Sequence, residues 1–248
     1  MCPADTHLTS LKKRMITVEL LSLAKKTHTY RELSEITKLP ITVLSRYVKG
    51  HVLPSSNRAE QLRATLEPAV SLENLLRENI RFDEAGYFDN SSIVWDLNLL
   101  RLAAYRTIEN FAGRKITKII TAEADGIPFA TIVASEMGKS LVVARKSREV
   151  GVSDWIEESY IPSNSAVVIT LHVPRYLIKR NDSILIVDDV TRTGETQRAL
   201  MDLVLKARGS VVGVMTLIGI GKSWKQKLAH ESDFLVHSIV EINDPTEQ

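Results

Sequence analysis

The sequence predicts an α/β protein in which a small helical domain precedes a larger domain built on a parallel sheet. Two observations predict this class. Beyond residue 95, short apolar runs alternate with segments of helical period, which is typical of parallel α/β sheets. Before residue 68, only helical patterns occur, separated by Pro and Gly. We therefore expect a helical domain at 1–67, a connector at 68–95 and the sheet domain at 96–248.

The helical domain is predicted from apolar residues that recur at helical spacing between breaks in the chain. Pro40 and Gly50 are such breaks, because Pro opposes a helix interior and Gly favours a helix end. A helical pattern in the connector is followed by a predicted turn at residues 89–92. The predicted helices are Leu11–Lys26, Tyr30–Thr37, Ile41–Val48, Asn57–Leu66 and Val70–Ile80.

The sheet domain is predicted from strands that alternate with helices. Its predicted strands are Ile116–Thr121, Ser140–Ala144, Ala166–Leu171, Ser183–Val187, Ser210–Ile218 and Phe234–Val240. Its predicted helices are Trp95–Phe111, Ile127–Met137 and Thr196–Ala207. Ligand sites in such sheets gather at the carboxyl ends of the strands, so we expect the functional residues there.

Composition excludes several classes of protein. Hydrophobic residues make up 44% of the 248 residues, enough for a core, and the single cysteine, Cys2, excludes an internal disulfide. No apolar run approaches the roughly 20 residues of a membrane span, and the amino terminus lacks a signal-peptide pattern. We therefore expect a cytoplasmic protein without a membrane partner. Residues 1–70 hold 11 basic and 6 acidic residues, a net +5, against −3 for the remainder.

The stretch from Ile184 to Thr196 contains the strongest functional pattern. Four apolar residues, typical of a buried strand, precede the adjacent carboxylates of Asp188 and Asp189. The following strand-to-helix loop favours a phosphate, because it offers backbone N–H groups, a positive dipole end and close approach at Gly194. Carboxylates suit ribose hydroxyls or a hydrated Mg²⁺. The pattern indicates a sugar-phosphate ligand; the alternative is an ordinary turn with a helix-capping Thr.

This stretch resembles the loop with which type I phosphoribosyltransferases bind 5-phosphoribosyl 1-pyrophosphate (PRPP). The resemblance implies that the acidic pair holds the ribose hydroxyls and that the loop cradles the 5-phosphate. It also implies Mg²⁺ as a cofactor that accompanies PRPP, with Asp188 and Asp189 as its ligands directly, through water or through PRPP. The implied PRPP-binding residues are Asp188, Asp189, Val190, Thr191, Arg192, Thr193, Gly194, Glu195 and Thr196.

Two further segments resemble parts of the same family. Residues 122–130 contain Gly-Ile-Pro and resemble the pyrophosphate loop, closest to that of the orotate enzymes; the alternative is a Gly turn with Pro in the first helical turn. Residues 147–165 lack a strong period and match the mobile hood that covers the ligand. The implied residues on the pyrophosphate side are Glu123, Ala124, Asp125, Gly126, Arg145 and Lys146, although the two basic residues also suit a solvated surface.

The segment from Tyr30 to Ser55 resembles the helix-turn-helix of phage-repressor-like DNA-binding domains. Leu39 would fill the turn and Leu44 would pack the second helix, whereas Lys38 departs from the Gly that is usual at the turn. The alternative is a helical cap or a dimerisation element. The residues that would face the major groove are Thr42, Ser45, Arg46 and Lys49.

Two departures from the family pattern argue against catalysis. The oxopurine enzymes carry an Asp as general base two positions before the loop Gly, and this position is Arg192 here. The orotate enzymes carry a further Lys and a His, where an ungapped count from Lys146 gives Glu149 and Gly151. The adenine enzymes do not need an acid at the Arg192 position.

Together, these patterns predict a transcriptional regulator that binds double-stranded DNA and senses PRPP or a nucleotide. A homodimer would place two recognition helices about one DNA turn apart on a palindromic operator. The basic character of residues 1–70 favours such a partner. The alternative prediction is an active phosphoribosyltransferase, of adenine or orotate type, that makes a nucleotide and pyrophosphate from PRPP and a base.

Overall fold

A computed structural model of the chain describes residues 7–68, 71–84, 88–163, 166–228 and 234–245. The chain forms two compact units. One comprises the residues up to Glu78 together with Asp96–Leu102, and the other comprises Asn79–Trp95 and the residues from Ala103 onward. The domain boundaries expected from the sequence, with a separate connector, stay a prediction.

The first unit consists of helices, as predicted. They are α1 His7–Thr27, α2 Tyr30–Thr37, α3 Ile41–Val48, α4 Ser56–Leu66 and α5 Leu72–Glu78. Thr29 caps α2 in a reciprocal capping box with Glu32. The turn before α3 is left-handed at Lys38, with φ 57°, a conformation that glycine adopts with less strain. Leu33 and Leu44 are fully buried beside this turn. Among the described residues, no helix has the length and apolar character required to cross a bilayer.

The second unit is built on a five-stranded parallel sheet, which confirms the predicted α/β class of this part of the chain. The strands of this unit are β1 Arg81–Phe82, β2 Phe88–Asp89, β3 Lys118–Ala122, β4 Ser140–Ala144, β5 Trp155–Tyr160, β6 Ile169–Pro174, β7 Ser183–Thr191, β8 Ser210–Ile220 and β9 Leu235–Ile242. The remaining helices are α6 Ser91–Val94, α7 Leu97–Asn110, α8 Gly126–Met137, α9 Glu195–Lys206 and α10 Ser223–Leu228. The order across the sheet is β4-β3-β7-β8-β9.

Strand β7 lies at the centre of this sheet and is longer than predicted. Its apolar residues Ile184–Val187 are completely buried, as a central parallel strand requires. The strand does not stop at Val187, because β8 continues to pair with it as far as the Thr191–Gly219 partners. Since all five strands are parallel, the carboxyl ends of β3, β4 and β7 lie at one edge of the sheet.

The segment expected to be a structureless hood contains a strand instead. Strands β5 and β6 form an antiparallel hairpin, which is paired from Trp155–Pro174 to Tyr160–Ile169. The strand predicted at Ala166–Leu171 is observed as β6, Ile169–Pro174, which begins and ends closer to the carboxyl terminus. Its register is set by its pairing with β5. Only Ile156 of β5 is fully buried, so the strand has little hydrophobic alternation to reveal it.

Candidate functional site

The acidic pair, predicted to follow directly after the strand, lies within the carboxyl end of β7. Asp188 is paired with Thr216 of β8, and Val190 with Ile218. Asp188 is only 5% exposed, whereas Asp189 is partly buried. The strand therefore fixes the backbone of both carboxylates before any ligand binds.

Protein donors surround both carboxylates. Gln197 Nε2 donates to Asp188 Oδ2 at 2.8 Å, and Asn90 Nδ2 donates to Asp189 Oδ2 at 2.5 Å. Burial raises the pKa of Asp188 well above its ordinary value, and the neighbouring charge of Asp189 raises it further. Burial also raises the pKa of Asp189, although the bond from Asn90 acts in the opposite direction. Additional donors or a cation would therefore stabilise the ionised pair.

The loop after β7 turns sharply into α9 at Gly194, with φ 79°. A Cβ at this position would lie 3.3 Å from Trp224 Cα and from Leu228 Cγ, so glycine is favoured by packing as well as by conformation. No side chain caps the start of α9, which leaves the first N–H groups of the helix available to an anion.

Glu195 joins this loop to the hairpin and to α10. Its carboxylate accepts hydrogen bonds from Ser163 N at 2.8 Å and from Lys227 Nζ at 2.9 Å, and also from the hydroxyls of Ser163 and Thr193. Burial acts to raise the pKa of Glu195, but these hydrogen bonds lower it to about 2. Next to it, the hydroxyls of Thr196 and Tyr160 lie 3.0 Å apart. The hairpin is therefore attached directly to the residues expected to bind phosphate.

The predicted pyrophosphate loop, residues 123–126, lies between β3 and α8. The Glu123–Ala124 peptide is cis. Glu123 Oε2 accepts a hydrogen bond from Lys146 N at 3.0 Å, which ties the loop to the end of β4. Asp125 is exposed, while Gly126 is buried against the acidic pair: a Cβ there would lie 2.1 Å from Asp188 Oδ1. The loop and β7 thus meet at a point where only glycine fits.

Arg145 and Lys146 follow β4 as predicted and are solvent-accessible. The Arg145 side chain is 40% exposed and forms an ion pair with Glu149. Its backbone bonds to His172 of the hairpin in both directions, at 2.9 and 2.7 Å. Lys146 is exposed. These two cations flank the 123–126 loop but are held less firmly than the acidic pair.

Arg192, at the position of the oxopurine general base, forms a bidentate ion pair. Its Nε and Nη2 donate to the two carboxylate oxygens of Asp244, both at 2.5 Å. Asp244 is 8% exposed. The guanidinium is thereby drawn toward the segment after β9, and it contributes no acid or base at this position.

Of the residues predicted to contact DNA, Thr42, Ser45 and Arg46 lie in α3 of the first unit and Lys49 follows at its carboxyl end. Thr42, Arg46 and Lys49 are exposed, and Ser45 is partly buried. Exposure of this kind is also usual for the solvated face of a short helix.

The fold and the site define a protein of the phosphoribosyl transferase class. The family model described as "Phosphoribosyl transferase domain" matches residues 97–247, and the chain belongs to this family. The resemblance of the second unit to type I phosphoribosyltransferases is thereby confirmed.

Comparisons with individual proteins agree with this family. A xanthine phosphoribosyltransferase of Lacticaseibacillus casei (strain BL23) is 29% identical over 149 residues, 60% of this chain and 78% of that protein. An adenine phosphoribosyltransferase of Thermobifida fusca (strain YX) is 34% identical over 131 residues, 52% of this chain and 73% of that protein. The crystal structure of an adenine phosphoribosyltransferase from Rhodothermus marinus matches with TM-score 0.61 and 26% identity, over 69% of this chain and 99% of that one.

These comparisons overturn the predicted main function. The prediction of a DNA-binding transcriptional regulator is wrong, because the similar proteins are named phosphoribosyltransferases. The predicted partnership with a palindromic DNA operator is overturned with it. The helices α2 and α3 exist, but the comparisons give the helix-turn-helix resemblance no support. The findings favour the alternative prediction, an active phosphoribosyltransferase.

Three polar residues of the site escaped sequence reasoning. Asn90 lies 99 positions before its partner Asp189, so no local pattern could connect them. Tyr160 lies in the strand that was not predicted. Gln197 follows directly after the motif, but its burial, at 2% exposed, is defined only by the fold, so no signal in the sequence separates it from a solvated glutamine.

Proposed function

We propose that this protein is a phosphoribosyltransferase that transfers the phosphoribosyl group of PRPP to a purine base and releases pyrophosphate. The observation that carries the proposal is the end of β7, where a buried acidic pair is followed by a Thr- and Gly-containing loop at the uncapped start of α9. Membership of the phosphoribosyl transferase family, and relatives named for xanthine and adenine transfer, support it.

In this proposal, residues 188–196 bind the ribose 5-phosphate half of PRPP. The carboxylates of Asp188 and Asp189 accept hydrogen bonds from the two ribose hydroxyls, which offsets the mutual repulsion of the pair. The 5-phosphate receives the backbone N–H groups at the start of α9 and the hydroxyls of Thr193 and Thr196. Glu195 points to Ser163 and Lys227, so its charge is neutralised before an anion arrives.

Residues 123–126, with Arg145 and Lys146, bind the pyrophosphate half. The backbone N–H groups of the loop and the two cations would stabilise the negative charge that grows on pyrophosphate as it leaves. The loop is anchored to β4 through Glu123 and to β7 through the close packing of Gly126. Both halves of the site are thus tied to the same sheet edge.

The residues fit a Mg²⁺ that arrives together with PRPP. Asp188 and Asp189 supply oxygen ligands, and Asp125 is close enough to raise the pKa of Asp189 further. Among the described residues, no three His, Cys, Asp or Glu side chains are grouped to hold an ion by themselves. Mg²⁺ commonly keeps water and phosphate ligands, and it would neutralise part of the pyrophosphate charge.

In the reaction, a nitrogen of the base forms a bond to C1 of the ribose while the bond from C1 to pyrophosphate breaks. The electron pair of the broken bond leaves with pyrophosphate, and the base nitrogen loses its proton to solvent. No carboxylate stands at the Arg192 position to accept this proton, and the guanidinium there is held by Asp244. An adenine-type transfer, which needs no acid at this position, therefore relies on binding and charge stabilisation, and a xanthine-type transfer would proceed here without the general base implied for the oxopurine enzymes.

The proposal is tested by pyrophosphate release from PRPP and Mg²⁺ with adenine, xanthine, guanine, hypoxanthine or orotate. We expect release with adenine or xanthine and none without a base. The same assay with Asp188→Asn combined with Asp189→Asn should give no release. Absence of release with all five bases would overturn the proposal.

A further inference from the structure

The side chain of Gln197 lies at the centre of the polar network under the proposed ribose site. It is 2% exposed and belongs to the first turn of α9. Its Nε2 donates to Asp188 Oδ2 at 2.8 Å and to the carbonyl of Val190 at 3.2 Å. Its Oε1 accepts from Thr191 Oγ1 at 3.0 Å. All its partners lie within the last four residues of β7.

This network fixes the orientation of the amide. Both N–H groups and the carbonyl of the side chain are in use, so a flipped amide would place Oε1 against Asp188 Oδ2 and the Val190 carbonyl. A Leu or Met at position 197 would leave Asp188 Oδ2 without its side-chain donor in a buried place. A Glu would add a third negative charge to the buried pair. Only an amide has this length together with the required donors.

The other contacts of Asp188 leave its orientation dependent on Gln197. Its Oδ1 accepts from Asp189 N at 3.3 Å and from Thr121 Oγ1 at 3.5 Å, both longer than the bond from Gln197. Gly126 limits movement on the Oδ1 side by close packing. Gln197 therefore supplies the shortest hydrogen bond that holds the carboxylate.

We propose that Gln197 is a positioning residue for phosphoribosyl transfer, which holds the Asp188 carboxylate and the backbone at Val190 and Thr191 in the geometry that binds ribose. This inference rests on the proposed function of the site. In this inference, Gln197 does not touch the substrate and acts on ribose binding only through Asp188 and the backbone at Val190 and Thr191. Its polar contacts lie in the ribose half and do not reach the 123–126 loop, so we expect its main effect on ribose binding.

The test compares ribose 5-phosphate and inorganic pyrophosphate as ligands, measured by calorimetry on the full chain. Gln197→Met should weaken the affinity for ribose 5-phosphate about tenfold or more, as expected for a lost hydrogen bond to a charged group. The affinity for pyrophosphate should stay within about twofold, because the polar contacts of Gln197 lie in the ribose half. A residue that supports only overall stability would not separate the two ligands. The KM for PRPP should rise with the KM for the base unchanged.

A second pair of variants decides the question if Gln197→Met fails to fold. Thr191→Val removes the hydroxyl that Gln197 Oε1 accepts from, and it should weaken ribose 5-phosphate binding severalfold. The matched control is Thr216→Val, at the β8 position paired with Asp188. This hydroxyl is buried without a hydrogen-bond partner in the described part of the chain, so its removal should leave affinity unchanged.

The possible failures are distinguishable. If the unmodified chain binds neither ribose 5-phosphate nor PRPP, the proposed function fails, and this inference fails with it. If the unmodified chain binds both while Gln197→Met binds ribose 5-phosphate equally well, only the positioning role is overturned. Equal weakening for ribose 5-phosphate and pyrophosphate, or equal effects of Thr191→Val and Thr216→Val, would also overturn it.

Discussion

The two halves of the proposed PRPP site differ in how completely the protein has built them. At the end of β7, Asp188 is buried and each carboxylate has a side-chain donor within 2.8 Å. At the end of β4, Arg145 is 40% exposed and Lys146 is exposed. The ribose half is held by internal contacts, whereas the pyrophosphate half presents solvent-exposed cations.

Under the proposed function, this difference assigns substrate specificity to the ribose half and product release to the pyrophosphate half. A preorganised ribose half binds without further ordering cost, and its buried groups discriminate strongly against ligands that lack the matching hydroxyls. Exposed cations attract any polyphosphate, but each contributes little and is screened by salt. Pyrophosphate must leave after the reaction, so weak contacts with exposed cations suit it better than tight contacts with buried groups.

The largest effect is expected from the acidic pair. Asp188→Asn combined with Asp189→Asn removes two charged acceptors, so ribose 5-phosphate binding should weaken about a hundredfold or more in calorimetry. Asp202→Asn on α9, which alters only a surface ion pair with Arg198, is the control and should bind normally. Retained binding by the double variant would mean that the ribose lies elsewhere.

The next effect is expected at the contact between the two halves. Gly126→Ala places a Cβ 2.1 Å from Asp188 Oδ1 and 2.4 Å from Thr121 Oγ1, so the carboxylate must move. We expect a loss of about 1–3 kcal/mol in the free energy of unfolding, measured with urea, and about tenfold weaker ribose 5-phosphate binding. Gly138→Ala is the control, because it strains a backbone with φ 63° but meets no atom within 4 Å. Normal ribose 5-phosphate binding by Gly126→Ala would mean that the contact between the 123–126 loop and Asp188 does not affect the ribose half.

A smaller effect is expected from the exposed cations. Lys146→Ala should weaken PRPP binding by up to about fivefold at low salt, and by less at high salt, while ribose 5-phosphate binding is unchanged. Lys139→Ala, an equally exposed charge before β4, should affect neither ligand. If Lys146→Ala weakened both ligands equally, the division of the site into two halves would be wrong.

The smallest effect is expected from Glu195, which attaches the β5–β6 hairpin to α9, and this effect is on thermal stability. The pKa of Glu195 is about 2, below its ordinary 4.5, so its stabilising contribution is present above pH 4.5 and is lost as the pH falls toward 2. Glu195→Gln should therefore lower Tm by a few degrees at neutral pH, roughly the effect of 1 kcal/mol, and this difference should shrink in acid. Glu60→Gln, at an exposed position of α4, should show no such difference at any pH.

The same contrast explains how much the sequence could predict. The apolar run Ile184–Val187 and the acidic pair are neighbours in the chain, so a local pattern was sufficient to predict the buried strand, the parallel sheet around it and a candidate site at its end. Asn90 and Asp244 reach this segment from distant positions, and Gln197 acts through an amide whose partners only the fold defines. Strand β5 was missed because pairing with β6, and not burial, determines it.

The function was harder to predict than the fold. Helices α2 and α3 form at the predicted positions, and the turn between them is left-handed at Lys38, the residue that departs from the usual Gly. Local geometry of this kind recurs in proteins of many functions, so it did not justify the prediction of a regulator. Arg192 was interpreted as standing where an oxopurine enzyme has an acid, which stays a prediction, and its pairing with Asp244 lay beyond the reach of the local pattern.

The most direct test of the account is a crystal structure of the chain with PRPP and Mg²⁺. The account predicts the ribose hydroxyls on the carboxylates of Asp188 and Asp189, the 5-phosphate at the start of α9, and the pyrophosphate between residues 123–126 and Lys146. It also predicts that the bond from Gln197 to Asp188 is retained. A PRPP molecule bound away from β7, or a ribose without contact to the acidic pair, would contradict the account.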